Sequence, residues 1–173
     1  MHFPSDLVQR HYHSPLGTMI LAASDHGLAL AWFDDQDGLS AALTHAPHAG
    51  TDHPVLRKTA QQFKEYFAGT RRDFDLPLDL SSGTAFQQAV WRSLLDIPYR
   101  RTCSYGTVAQ TIAKPRAVRA VGAAVGSNPI AIIVPCHRVI GANGSLTGYA
   151  GGLDRKTYLL QLENGLNPQR SLI

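Results

Sequence analysis

Ser104-Tyr105-Gly106-Thr107-Val108-Ala109-Gln110-Thr111-Ile112-Ala113-Lys114-Pro115-Arg116-Ala117-Val118-Arg119-Ala120-Val121-Gly122-Ala123-Ala124-Val125-Gly126 reads as two short helices joined by a tight turn. Ser104 is a good N-cap for a helix over 105–113. Lys114 interrupts, and Pro115 stands where a first-turn proline belongs, opening a second helix that runs to about Val125. Paired short helices of this kind predict a helix-turn-helix. The second helix carries Arg116 and Arg119 among small residues. That composition suits helix packing inside a protein. It also suits shallow contact with a minor groove, or an arginine entering the space of an extruded base, better than deep major-groove readout.

Working outward, Thr84 is placed to cap a helix through Phe86, Val90, Trp91 and Leu94-Leu95, ending before Pro98. Asp154 is placed to cap a last helix reaching Glu163, with Asn164-Gly165 as its stop. Upstream the pattern changes. Residues 18–23 and 28–33 are apolar runs separated by Ser24-Asp25-His26-Gly27, a β-hairpin signal, and His11 to His13 belong to a preceding strand. Residues 34–52 read as a loop with room for a short helix. Pro54 opens a helix through Phe67, with Leu56, Ala60, Phe63 and Phe67 on one face. Phe74 to Leu80 alternates like a final strand. Ser81-Ser82-Gly83 is the expected linker between an N-terminal α/β domain, 1–80, and a helical C-terminal domain, 84–173.

Charge follows the same division. Residues 1–80 hold six Lys/Arg and ten Asp/Glu, a balance of −4; residues 81–173 hold ten and three, a balance of +7; together they give the chain's +3. A basic half on an acidic half points to a polyanionic partner for the basic one, nucleic acid first, although a solvated basic face would look the same. No apolar run approaches the roughly 20 residues that span a membrane. The segment Met1 to Asp6 has neither a basic region nor an apolar core, so the chain is expected in the cytoplasm. Of two cysteines, Cys103 and Cys136, a disulfide is not expected in that compartment.

Cys136 lies in Ile132-Ile133-Val134-Pro135-Cys136-His137-Arg138-Val139-Ile140, and His137 is the only histidine after residue 53. A thiol is a strong nucleophile only as thiolate, and a neighbouring base or cation is what lowers its pKa. On an extended strand the two side chains would face opposite ways, requiring a bend or a bridging water. Taken alone, such a pair more often describes a buried inert thiol. Tyr105 and the glycine-rich Gly148-Tyr149-Ala150-Gly151-Gly152 offer rings for stacking and free backbone N–H groups.

Taken together, Pro135-Cys136-His137-Arg138, preceded by Arg119-Ala120-Val121-Gly122 and Ser127-Asn128-Pro129 and followed by Tyr149-Ala150-Gly151-Gly152, resembles the O6-alkylguanine-DNA alkyltransferase family, bacterial constitutive type. The resemblance is dense from Thr84 to Gly165 and looser before it. It implies a ribonuclease-H-like N-terminal domain and a winged-helix-like C-terminal domain with the helix-turn-helix. It implies irreversible, single-turnover transfer of the alkyl group from O6-alkylguanine, and more weakly O4-alkylthymine, to Cys136. His137 would act through water as base, Glu163 would orient it, and Asn128 would support the turn. Arg119 would fill the gap left by a flipped nucleotide, with Ala120 and Gly122 beside it against the DNA. Tyr105 and Tyr149 would meet the extruded base. The carbonyls of Cys136 and Val139 would accept from its amino group, and the Ala150 N–H would bond O6. The implied partner is double-stranded DNA bound through the minor groove by a monomer, with no cofactor, metal or membrane. Ala150 replaces a serine of some relatives, and Val118 is bulkier than a familiar alanine. Cys103 has no matching role. The histidines His45, His48 and His53 lack the carboxylate or thiolate support of a metal site. Two other classes compete: a damage-sensing binder, which would lack the cysteine, and a transcription regulator, which would need an effector domain that the sequence does not display.

Overall fold

The computed structural model describes residues 2–36, 46–49 and 53–166. The chain forms two compact units: residues up to Thr84 together with Pro129–Ala131, and Ala85–Asn128 together with Ile132 onward.

The first unit is built on an antiparallel sheet, β1 (Val8–Ser14), β2 (Gly17–Ser24) and β3 (Gly27–Phe33), in the order β1-β2-β3. Strands β2 and β3 turn at Asp25-His26, where Ser24 pairs with Gly27, as the spacing predicts. Their apolar runs are buried almost throughout, which accounts for the weak alternation in sequence. Helix α1 (Pro54–Phe67) has the predicted span and buries Leu56, Phe63 and Tyr66. Each such side chain contributes about 1.5–3 kcal/mol when fully buried. Phe63 meets Tyr12 of β1 at 5.5 Å between ring centroids, and Phe63 and Tyr66 both contact Phe74.

Segment 74–80 is not a strand. It touches β3 through one parallel bridge, Leu28 to Leu78, with Leu28 N–H donating to Pro77 O and Asp79 N–H to Leu28 O, both 2.8 Å. Pro77 has no N–H, so the ladder cannot extend through it. Gly27 permits this approach: at φ +139° a Cβ there would lie 2.4 Å from Pro77 O. Of the expected loop 34–52, residues 37–45 and 50–52 lie outside the described residues.

The second unit is helical: α2 (Ala85–Leu95), α3 (Tyr105–Thr111), α4 (Val118–Gly126) and α5 (Leu153–Glu163), with a short parallel pair, β4 (Cys103–Ser104) and β5 (Val139–Ile140). Trp91 is fully buried on α2, and its indole N–H donates to Ala124 O at 2.8 Å, tying α2 to α4. Ser104 caps α3 by accepting from Thr107 N–H at 3.1 Å.

Helix α3 stops earlier, and α4 starts later, than the sequence pattern predicts. Ala113 adopts φ +56°, Lys114 N–H reaches Ala109 O at 2.8 Å, and Ala113 N–H reaches Gln110 O at 2.9 Å. This is a Schellman cap with alanine in the left-handed position that glycine normally takes. Pro115 then occupies a β-turn closed by Ala117 N–H to Lys114 O at 2.8 Å, so it sits in the turn and not in the helix. Replacing Ala113 with glycine removes the Cβ strain, and we expect a gain of up to about 1 kcal/mol. A denaturant midpoint that rises with unchanged slope checks this; a lowered midpoint contradicts it. Asp154 lies in the first turn of α5, and the N-cap is Gly152 at φ +90°. Among the described residues no helix is long and apolar enough to cross a membrane.

Candidate active site

Cys136 begins a single 3-10 turn, Cys136–Arg138, and is not on a strand. Pro135 supplies the acceptor for Arg138 N–H at 2.9 Å, and Val139 N–H closes onto Cys136 O. A turn of three residues directs adjacent side chains differently from the alternating faces of a strand. The segment entering it contains Ile132 at φ +74°, an unusual conformation for a β-branched residue.

Cys136 is 6% exposed. Its Sγ accepts from Asn128 Nδ2 at 3.1 Å, and the same amide reaches Val134 O at 2.8 Å. Asn128, just past the C-terminus of α4, therefore ties the turn and the sulfur together. Burial pushes the Cys136 thiol up to about 11, against the Asn128 bond and the charge of Lys156. At neutral pH the resting sulfur is a thiol, and making the thiolate requires a base.

His137 is fully buried, and its Nε2 lies 2.7 Å from Glu163 Oε1. Glu163 is 1% exposed and also accepts from Arg138: Nη2 to Oε1 at 2.9 Å and Nε to Oε2 at 3.1 Å. The backbone N–H of Arg100 adds a bond to Oε2 at 3.1 Å. Burial opposes a charge on Glu163, but His137 and Arg138 outweigh it and hold the carboxyl down to about 2. Burial lowers the His137 pKa, with Glu163 pulling the other way and Arg138 and Lys156 reinforcing burial. A carboxylate only accepts, so Nε2 carries the proton and Nδ1 keeps its lone pair. Nδ1 has no protein partner. A neutral imidazole with a free, buried lone pair one residue from a buried thiol is the arrangement that general-base chemistry needs.

Both shifts make the fold acid-sensitive. His137 and Glu163 bind protons less readily folded than unfolded, so the unfolded chain takes up more protons and stability drops as pH is lowered. The His137 contribution starts to be lost as pH falls through about 6.5, and the Glu163 contribution goes below about 4.3. A urea midpoint lower at pH 5.5 than at pH 7.5 is the expected result; an equal or higher one contradicts it.

Lys156, on α5 seven residues before Glu163, is fully buried, and burial lowers its pKa. Its Nζ donates to Val139 O at 2.6 Å and to Thr147 O at 2.9 Å. The Tyr105 hydroxyl donates to the same Thr147 carbonyl at 2.9 Å. Two donors thus hold the segment leading into Tyr149, whose own hydroxyl is buried without a partner. The Val139 carbonyl already serves Lys156. Ala150 is exposed.

Cys136, His137, Asn128 and Glu163 are thus brought into one buried cluster, with Val139 and Tyr105 joined to it through Lys156 and Thr147. Arg119 and Ala120 stand on the exposed face of α4, and Gly122 is half-buried with the Tyr105 ring nearest its missing Cβ, at 3.9 Å. Sequence reasoning assigned nothing to Lys156 or Arg138. The available signal was charge on an apolar stripe: Lys156, Leu159 and Glu163 share the buried face of α5. Cys103 is half-buried, and burial raises its pKa. Among the described residues no His, Cys, Asp and Glu group is arranged to hold a metal; His45 lies outside them.

Comparison with known proteins agrees with this picture. Residues 7–80 match the ribonuclease-like domain of 6-O-methylguanine DNA methyltransferase, and residues 85–165 match its DNA binding domain. A methylated-DNA--protein-cysteine methyltransferase of Mycolicibacterium paratuberculosis is 48% identical over 162 residues, covering 92% of this chain and 93% of the relative. One of Methanosarcina acetivorans is 46% identical over 153 residues, covering 88% and 95%. The crystal structure of Mycobacterium tuberculosis OGT in complex with DNA superposes with TM-score 0.84 at 46% identity, covering 95% of this chain and 98% of that one. Both halves are matched and the relatives align over nearly their full length: the chain belongs to the 6-O-methylguanine DNA methyltransferase family.

Proposed function

We propose that the protein repairs DNA directly, moving the alkyl group of O6-alkylguanine, and more weakly O4-alkylthymine, onto Cys136. The observation that carries this reading is the buried His137–Glu163 bond of 2.7 Å in the turn that holds Cys136, with Nδ1 left free to accept. The Sγ proton passes by way of water to His137 Nδ1. The sulfur forms a bond to the alkyl carbon as the carbon–O6 bond breaks, and that electron pair goes to guanine. The thiol's proton is then passed from His137 to the guanine ring, so the products are S-alkylcysteine and neutral guanine, with His137 returned to its neutral form. Asn128 Nδ2 and the Lys156 charge favour the thiolate as it forms. The chemistry calls for no cofactor. A thioether has no ready hydrolysis route, so each molecule acts once.

A base stacked in a duplex keeps its O6 substituent in the major groove, so a minor-groove reader has to extrude the nucleotide, at a cost of a few kcal/mol. The basic C-terminal half of the chain performs this as a monomer in the cytoplasm. The exposed α4 face bearing Arg119, Ala120 and Gly122 enters the minor groove, and Arg119 takes the space the base vacates. Tyr105 and Tyr149 line the base, the Val139 and Cys136 carbonyls accept its amino group, and Ala150 N–H faces O6.

Titrating a duplex carrying one O6-methylguanine with protein is expected to restore guanine up to one per molecule and then stop. Absence of repair, or continued turnover, overturns the proposal. Arg119→Ala is expected to slow repair in duplex by about tenfold or more while sparing reaction with free alkylated base, since flipping costs a few kcal/mol. Equal slowing of both rejects the finger role.

A further inference from the structure

Resting on that reading of Cys136 and His137, we propose that Arg138 is a positioning residue that fixes the ionisation of Glu163 and thereby the His137 tautomer able to act as base. Arg138 is 6% exposed, and all three guanidinium nitrogens donate. Nε and Nη2 fork onto the two Glu163 oxygens, Nη1 donates to Ile97 O at 2.6 Å, and the group lies 5.7 Å from the Tyr99 ring centroid. It cannot turn toward solvent without abandoning all of these.

The carboxylate of Glu163 accepts from His137 and Arg138 Nη2 on one oxygen, and from Arg138 Nε and the Arg100 N–H on the other. A carboxylate has about four such acceptor directions, and a planar fork fills two of them at once. The direction left to His137 on Oε1 admits only a donor. That forces the proton onto Nε2 and the lone pair onto Nδ1.

Without Arg138, Glu163 keeps the burial cost of its charge and loses the guanidinium that forks onto it. Protonation of the carboxyl then becomes favourable, or the proton moves to give an imidazolium–carboxylate pair. In the first case the acid donates to Nε2 and Nδ1 carries the hydrogen. In the second both nitrogens carry hydrogen. Either way Nδ1 ceases to be a base. The other groups facing this pair do not substitute for Arg138. Lys156, also on α5, spends its donors on Val139 and Thr147 carbonyls, Cys136 is neutral at rest, and Arg100 offers Glu163 a backbone N–H. The positive charge of Arg138 also opposes a resting imidazolium.

The test is the pH profile of single-turnover transfer from free alkylated base, which bypasses DNA binding, in Arg138→Gln, Arg138→Lys and the unsubstituted full chain. Arg138→Gln is expected to be slower at pH 7 by roughly a hundredfold to ten-thousandfold, the range of general-base assistance. The acid limb of its profile is expected to move to higher pH and the rate to recover as Glu163 ionises. Arg138→Lys keeps charge but not the fork, so its limb moves less. Should the glutamine variant fail to fold, the lysine variant decides: a limb displaced upward supports the proposal. A folded variant with reduced stability but an unmoved limb shows Arg138 to be structural only and overturns it. If the unsubstituted chain itself transfers no alkyl group, the functional reading has failed instead, and the two failures are told apart.

Discussion

Cys136→Ala is expected to abolish alkyl transfer altogether while leaving the protein folded. The sulfur is the only atom in the cluster that can form the new bond, because Asn128 donates, Glu163 is locked by four donors, and His137 presents a nitrogen whose task is to take a proton. Truncation to alanine removes one buried sulfur. Asn128 Nδ2 keeps one N–H on Val134 O at 2.8 Å, and its other N–H loses only a weak sulfur acceptor. The stability cost should therefore be modest, about 1 kcal/mol, in the range of ordinary core substitutions. Cys136→Ser should be equally inactive, since a hydroxyl in the same pocket is a far weaker acid than the thiol and is not converted to its anion by a neutral imidazole. DNA binding should persist in both variants because the exposed α4 face is untouched. Measured restoration of guanine by either variant would place the acceptor elsewhere.

The second large effect is at Glu163. Glu163→Gln preserves shape but turns one oxygen into an NH₂ that faces donors. Arg138 is left with an unneutralised buried charge, and the Arg100 N–H or His137 loses its acceptor. Breaking a buried pair this way costs about 3–5 kcal/mol. The rate penalty is separate. Without the carboxylate nothing selects the Nε2–H tautomer, and loss of positioned base catalysis is expected to slow transfer by about 10²-fold or more. Thermal unfolding and single-turnover rates, both at pH 7.5, check the two parts. A variant within twofold of the unsubstituted rate would show that His137 needs no orienting partner.

Much of the architecture was legible in the residues because local signals and burial agreed. The Ser24-Asp25-His26-Gly27 spacing set the hairpin, and the Leu56–Phe63 stripe with Pro54 at its head set α1. The misread boundaries have physical causes. Pro115 suits both the first turn of a helix and the second position of a β-turn, because both want the same φ and neither needs its N–H. Ala113 carries no mark of the left-handed conformation that ends α3, because glycine is the residue that usually signals it. Residues 74–80 alternate like a strand, but Pro77 withholds the donor that a ladder requires. Gly152 caps α5 through backbone geometry, a device less visible than the Asp154 side chain beside it.

The site divides in the same way. Cys136 and His137 were adjacent in sequence, and Glu163 and Asn128 became candidates only through the family pattern. The 3-10 turn that makes neighbours of Cys136, His137 and Arg138 depends on Pro135 and on the Asn128 anchor, eight residues away in sequence from the sulfur it bonds. Arg138 stood in the Pro135-Cys136-His137-Arg138 motif without a role of its own, and Lys156 was unreadable as a site member because a lone basic residue usually marks a solvated surface. Their burial is bought by acceptors far along the chain: Ile97 and Glu163 for one, Val139 and Thr147 for the other.

The most direct test of alkyl transfer to Cys136 follows the alkyl group itself. The full chain is incubated with duplex DNA carrying guanine with a deuterated methyl group on O6, and the protein is then weighed intact and as peptides. The expected result is one labelled methyl group per molecule, located on Cys136, with guanine restored in the DNA. A protein whose mass is unchanged, or a label found on any other residue, would contradict the account.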